Sequence, residues 1–147
     1  MNRTIKFRGQ RKSDKQWVYG SLLELRNSEG IETWGIKDTC YNVNNGRIDL
    51  IPHEVIPETV GQYTGLLDRN NKEIFEGDVL NGEFATGLGL KSTKYKSFNF
   101  SISFHGHDAC FHSDMPENYG KYRFLPHVSN CIIVGNIHDN PSLILKD

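Results

Sequence analysis

An all-β fold is what the chain predicts: its apolar segments are short, they alternate with a period of two, and they are rich in aromatic residues. The sixteen aromatics are two Trp, six Tyr and eight Phe. Ile5-Lys6-Phe7-Arg8 alternates and stops at Gly9, and the basic link Gln10–Gln16 leads to a second run, Trp17–Leu23. Together they predict a hairpin with a long tip. Ile31–Ile36 alternates after Gly30, a turn cluster spans Asn42–Gly46, and a short strand follows at Arg47–Ile51.

Thr59–Gly65 is β-prone with glycine at two positions, the pattern of a bulge or a close backbone approach. Leu67–Lys72 is turn chemistry: Asp68 can cap its own backbone, and Asn71 tolerates a left-handed conformation. Glu76-Gly77-Asp78 then reverses the chain before Val79-Leu80. Gly77 is predicted at positive φ, with Glu76 and Asp78 capping a solvated turn. Beyond Leu80, Gly82, Gly87 and Gly89 predict a loose stretch. The clearest strand is Ser97–Phe104, with Phe98, Phe100, Ile102 and Phe104 on one buried face and Ser97, Asn99, Ser101 and Ser103 on the other. Tyr122–Phe124 and Cys131–Val134 supply later strands, and Pro141 suits the first turn of a short terminal helix.

Size and composition set the function classes. At 147 residues the chain has the length of one domain, and it buries a core without staples. Its net charge of −1 argues against a general nucleic-acid binder. Arg3, Lys6, Arg8, Arg11, Lys12 and Lys15 nevertheless form a basic arm. Such an arm either contacts phosphates or guards the edge and tip of the first hairpin, and the second reading is preferred. No apolar run is long enough to span a membrane, and the first residues lack a signal-peptide pattern. Cys40, Cys110 and Cys131 are odd in number and far apart, which points to reduced thiols in a cytoplasm.

Three segments invite a chemical reading. His105-Gly106-His107-Asp108-Ala109-Cys110-Phe111-His112, with Asp114 beyond, holds the donor types of a zinc site. If the strand runs on, His105 and His107 lie on its Ser/Asn face, so an exposed polar strand end competes with metal binding. The same segment could supply Cys110, His112 and Asp114 to nucleophilic catalysis, although catalytic partners normally converge from separate elements. Gly87-Leu88-Gly89-Leu90-Lys91-Ser92 resembles a phosphate loop only superficially, because Leu90 separates the glycine from the lysine. No residue is therefore assigned a catalytic, cofactor-binding or metal-ligating role, and no cofactor is implied.

Several segments, in order and spacing, resemble the YopX family of phage and prophage proteins. They are Ile5–Gly9, Trp17–Gly20, Glu58–Leu66, Asp68, Lys72–Leu80 and Ile133–Pro141. The resemblance covers the N-terminal half and the last residues, and hardly touches 81–130. It departs from the family at Asn71, where glycine is usual, and at His138, where tyrosine is usual. The resemblance implies one domain over residues 1–147 with mixed β-sheets and little helix. Within it, an N-terminal β region over residues 1–76 is followed by a compact barrel-like region over residues 77–147. The resemblance implies little about activity, and the preferred reading is a phage accessory protein of the bacterial host cytoplasm. Such a protein reads as a non-enzymatic β-sheet module that binds an unknown protein or its own copies, with nucleic acid less favoured and no membrane. The alternative is a metal-dependent or hydrolytic enzyme using His105–Asp114.

Overall fold

The described residues form ten strands in a computed structural model that describes residues 4–26, 29, 30, 32–37, 51–86, 94–114 and 130–144. The expected turn at 42–46, the strand at 47–51 (save Ile51), the glycine loop 87–92, the strand 122–124 and Cys40 lie outside the described residues. The fold is all-β and both sheets are antiparallel. The chain divides into two compact units, Met1–Tyr63 and Thr64–Asp147.

The first unit holds β1 (Phe7–Gln10), β2 (Trp17–Arg26), β3 (Glu32–Lys37), β4 (His53–Val55) and the start of β5 (Gly61–Leu67) in the order β4-β3-β2-β1-β5. The long-tipped hairpin pairs Phe7 with Gly20 and Gln10 with Trp17. Its inner face packs Ile36 and Val55, both fully buried. Gly9 makes that packing possible, since a Cβ there would sit 3.2 Å from side-chain atoms of both. The outer edge of β4 does not stay open. Arg11 bridges Val55, the Lys12 N–H donates to the Glu54 carbonyl (2.9 Å), and the Ile56 N–H donates to that of Gln10 (2.9 Å). These bonds clasp the end of β1 onto β4.

The second unit receives the rest of β5, which pairs with β6 (Glu73–Phe75). Its other sheet orders β10 (Ile132–Asn136), β7 (Asp78–Thr86), β8 (Lys94–His105) and β9 (Cys110–Asp114) as β10-β7-β8-β9. Among the described residues these four strands form no closed barrel. Gly82 itself does not loosen the chain: β7 runs through it to Thr86 and pairs with β8 from Val79 onward. The core gathers Ile74, Leu80, Phe100, Ile102, Phe111 and Cys131, with Phe98 and Ile133 packed against it. Burying one such side chain contributes about 1.5–3 kcal/mol. Phe104 is the exception to its predicted face, at 45% exposed. β7 pairs with β8 only as far as Ser101, so beside Phe104 the sole paired strand is β9, whose Phe111 meets it edge to face at 5.3 Å. The opposite face is not simply wet either. Ser101 is buried, and the Asn99 side chain donates to the Leu143 carbonyl (3.0 Å). The terminal helical turn is a 3-10 turn at Pro141–Leu143.

Two turns lock this unit. Asp68 is 4% exposed; its Oδ1 accepts from the N–H groups of Asn70 (2.7 Å) and Lys72 (2.9 Å), and its Oδ2 from that of Ile133 (3.1 Å). Burial pushes its carboxyl up, but the Lys72, Ile133 and Asn70 donors and the Lys72 charge together outweigh it and hold it below the usual range. Asn71 sits at φ 61°, as its place in this turn requires. In the second turn Gly77 has φ 81°; its N–H donates to the Ile102 carbonyl (2.8 Å) and its carbonyl accepts from Ile137 (2.9 Å). Asp78 is not at a solvated turn: it is 1% exposed and accepts from the Phe75 N–H (2.8 Å).

Gly77→Ala is expected to lower stability by about 1 kcal/mol or more, because an added Cβ is strained at that φ. Asp78→Asn keeps an acceptor but brings two donors into a buried place, so it is expected to cost about 1–3 kcal/mol. Chemical denaturation of both beside the parent checks this; an unchanged Gly77→Ala midpoint contradicts the pivot. Asp68 has a depressed folded value, so its stabilisation is complete above its unfolded value near about 4 and is lost as pH falls through the folded value. Asp68→Asn is expected to lose about 2 kcal/mol at neutral pH and to show a flatter acid limb in thermal melts. Parallel acid limbs for parent and variant exclude this role for Asp68.

Candidate functional site

The predicted strand end around His105 is a hairpin. β8 stops at His105, residues Gly106–Ala109 turn with Ala109 at φ 50°, and β9 returns from Cys110. In the register His105 faces Cys110 and Ser103 faces His112, so His105, Cys110, His112 and Asp114 share one face of the two strands. His107 does not join them; it stands on the turn, its side chain 98% exposed, with Nδ1 3.2 Å from Asp108. The turn instead brings Asp108 toward the sheet.

His112 is the centre of the group. It is 5% exposed, and its ring stacks on that of His105 at 4.1 Å and 24°. Its Nε2 lies 3.1 Å from the Cys110 Sγ and 3.5 Å from the Asp108 Oδ2. On the other side, the His105 Nε2 is 3.7 Å from Asp114, whose second oxygen accepts from the Ser101 hydroxyl (3.2 Å). Ligand atoms of His105, Asp108 and His112 all lie within 4.8 Å of one another. A hydrolytic relay needs the base to meet the nucleophile with one nitrogen and the orienting carboxylate with the other. Here thiol and carboxylate meet the same nitrogen, which suits a shared cation better than a relay. The sequence offered all these residues as donor types but preferred an exposed strand end and loop, and the burial of His112 depends on a register that residue types do not reveal.

A second candidate is the outer face of β2 in the first unit. Trp17, Tyr19, Leu23 and Leu25 stand there on alternate positions, Tyr19 41% and Leu23 38% exposed and the other two half-buried. The Arg8 guanidinium lies 4.7 Å over the Trp17 ring and the Lys6 ammonium 5.8 Å over that of Tyr19. Other cations of the basic arm are engaged by carboxylates: Arg11 Nε donates to Asp14 (2.8 Å) and Lys12 to Glu54 (2.7 Å). Hydrogen bonds from these partners hold the Asp14 and Glu54 carboxyls below their ordinary values. A cleft of about 380 Å³ beside this hairpin tip is lined by Arg11, Lys12, Ser13, Pro52, His53 and Glu54, and the Lys12–Glu54 pair is built into its wall.

The comparisons bear on the fold as a whole. The sequence pattern of the YopX protein family matches residues 6–145. The chain belongs to the YopX family. The match runs on through 81–130, the stretch that the motifs alone had left out. The crystal structure of protein EF1440 from Enterococcus faecalis is similar to this YopX-family chain, with a TM-score of 0.51 and 20% identity over 97% of this chain and 99% of that one. At that identity the likeness concerns the fold alone. No curated protein matches the chain. Among the described residues, no helix is long and apolar enough to cross a membrane.

The two described cysteines differ in what surrounds them. Cys131 is 2% exposed in the core, and burial pushes its thiol up to about 11, whereas Cys110 is half-buried on the hairpin. Iodoacetamide at mildly alkaline pH is expected to label Cys110 in the folded protein and Cys131 only after denaturation, as read by peptide mass spectrometry. Labelling of native Cys131 at a comparable rate contradicts this placement.

Proposed function

We propose that this chain is a phage- or prophage-encoded accessory protein of the bacterial cytoplasm, working as a non-enzymatic β-sheet module that binds protein, a second copy of itself being the simplest partner. The observation that carries the reading is the partly open apolar row on β2. Tyr19 and Leu23 each keep more than a third of their surface exposed on a regular strand. Tyrosine and tryptophan are the residues on which protein interfaces concentrate their binding energy, and cations over the rings match the polar rim of such interfaces. The clasp at β4 favours docking through the face over strand addition at that edge. The carboxylates beside Arg11 and Lys12 support a protein partner over nucleic acid, since those charges already have partners.

Sedimentation velocity over a wide concentration range is expected to show reversible self-association that Tyr19→Lys with Leu23→Lys removes. Tagged parent and double variant, used to capture proteins from phage-infected cells, are expected to differ by at least one partner. A monomer at every concentration, together with identical capture by both chains, overturns the reading. The double variant must retain the parental β-type circular dichroism for that comparison to count.

A further inference from the structure

We propose that the β8–β9 hairpin binds one divalent transition-metal ion of the zinc class through His105, Asp108, Cys110 and His112. The proposal is independent of the β2 face, which lies on another unit of the chain.

Geometry comes first. A tetrahedral zinc ion with Zn–N bonds of about 2.0–2.1 Å and a Zn–S bond of about 2.3 Å keeps its donor atoms roughly 3.3–3.6 Å apart. The His112 Nε2 already stands 3.1 Å from the Cys110 Sγ and 3.5 Å from the Asp108 Oδ2. The donor of His105 lies within 4.8 Å of those of Asp108 and His112. Its side chain is half exposed at the outer side of the group, next to Asp114. Three of the four donors sit on paired strands, in a register that fixes their spacing. The fourth, Asp108, is brought in by the tight turn that ends at Ala109 with φ 50°. The frame is therefore largely pre-built before any ion arrives.

Electrostatics points the same way. One hydrogen on Nε2 of His112 is at best shared between the thiol and the carboxylate, whereas a cation beside that nitrogen draws lone pairs from nitrogen, sulfur and oxygen alike. Asp114 adds a further negative group 3.7 Å from His105 and is steadied by the Ser101 hydroxyl. That is the outer carboxylate that ligating histidines commonly have. The donor set of two imidazoles, one thiolate and one carboxylate selects zinc and its neighbours in the transition series over magnesium or calcium, which favour all-oxygen shells. The fully exposed His107 and the core thiol Cys131 stand outside the site.

The test uses the full chain made without a histidine tag and stripped with a chelator. Zinc competition against a chromophoric chelator is expected to show one equivalent bound. Cobalt is expected to give the visible bands of a tetrahedral site and a thiolate charge-transfer band in the near ultraviolet. His105→Ala and Asp108→Asn, both at exposed positions, are each expected to weaken zinc binding at least about tenfold. Cys110→Ser is expected to remove the charge-transfer band, while Cys40→Ser leaves affinity and spectrum unchanged and His107→Ala, which removes only a contact to Asp108, leaves the spectrum unchanged. Circular dichroism on every variant separates lost ligands from lost folding. No stoichiometric zinc overturns the site. So does binding that survives Cys110→Ser and His105→Ala but falls with His107→Ala, which marks loose attachment to surface histidine.

Discussion

Asp68 brings a negative charge into a place that water scarcely reaches, and a bare carboxylate there costs several kcal/mol. The cost is offset because three backbone N–H groups turn toward it, two from its own turn and one from Ile133, 65 residues further on. One oxygen thus closes the β5–β6 turn while the other pins β10, and the Arg69 N–H adds a bond to the carbonyl of Cys131 (2.8 Å). With β10 fixed beside β7, the Gly77 peptide bonds on both sides, to β8 and to the turn that follows β10. Leu80, Ile133 and Phe100 then close over Cys131. The order of dependence runs from charge to turn, from turn to strand, and from strand to core.

Much of this was legible because the relevant signals are local. The alternation of Phe98, Phe100 and Ile102, the turn chemistry of Asp68 and Asn71, and the positive φ of Gly77 are decided within a few residues of themselves. What escaped depends on partners far away in sequence. Nothing near Asp68 announces that its second oxygen serves Ile133, and nothing near Asp78 announces that it is buried. β4 and β6 are three residues each, too short to show a period. Phe104 obeys the alternation and is still exposed, because burial also requires a neighbouring strand that reaches as far.

The hairpin group shows the same limit in a sharper form. His105, Cys110 and His112 were conspicuous as residue types, but their relation depends on where the strand ends. A strand carried one residue pair further sets His107 beside His105, whereas the actual turn sets Asp108 there and lays His112 across from Ser103. Composition named the donors, and only the register sorted the participant from the bystander.

The clasp on β4 has a kinetic side. The β1–β2 and β2–β3 pairings join residues close in sequence and can zip quickly, whereas the contact between Lys12 and Glu54 spans 42 residues and consists of a few bonds at an exposed tip. Contacts of that kind form late and open first, by local fraying rather than global unfolding. The outer rim of β4, shielded by these bonds, is thus expected to be bared only in short intervals of local opening. In those intervals the first unit offers an incoming strand a row of backbone groups that its average structure conceals.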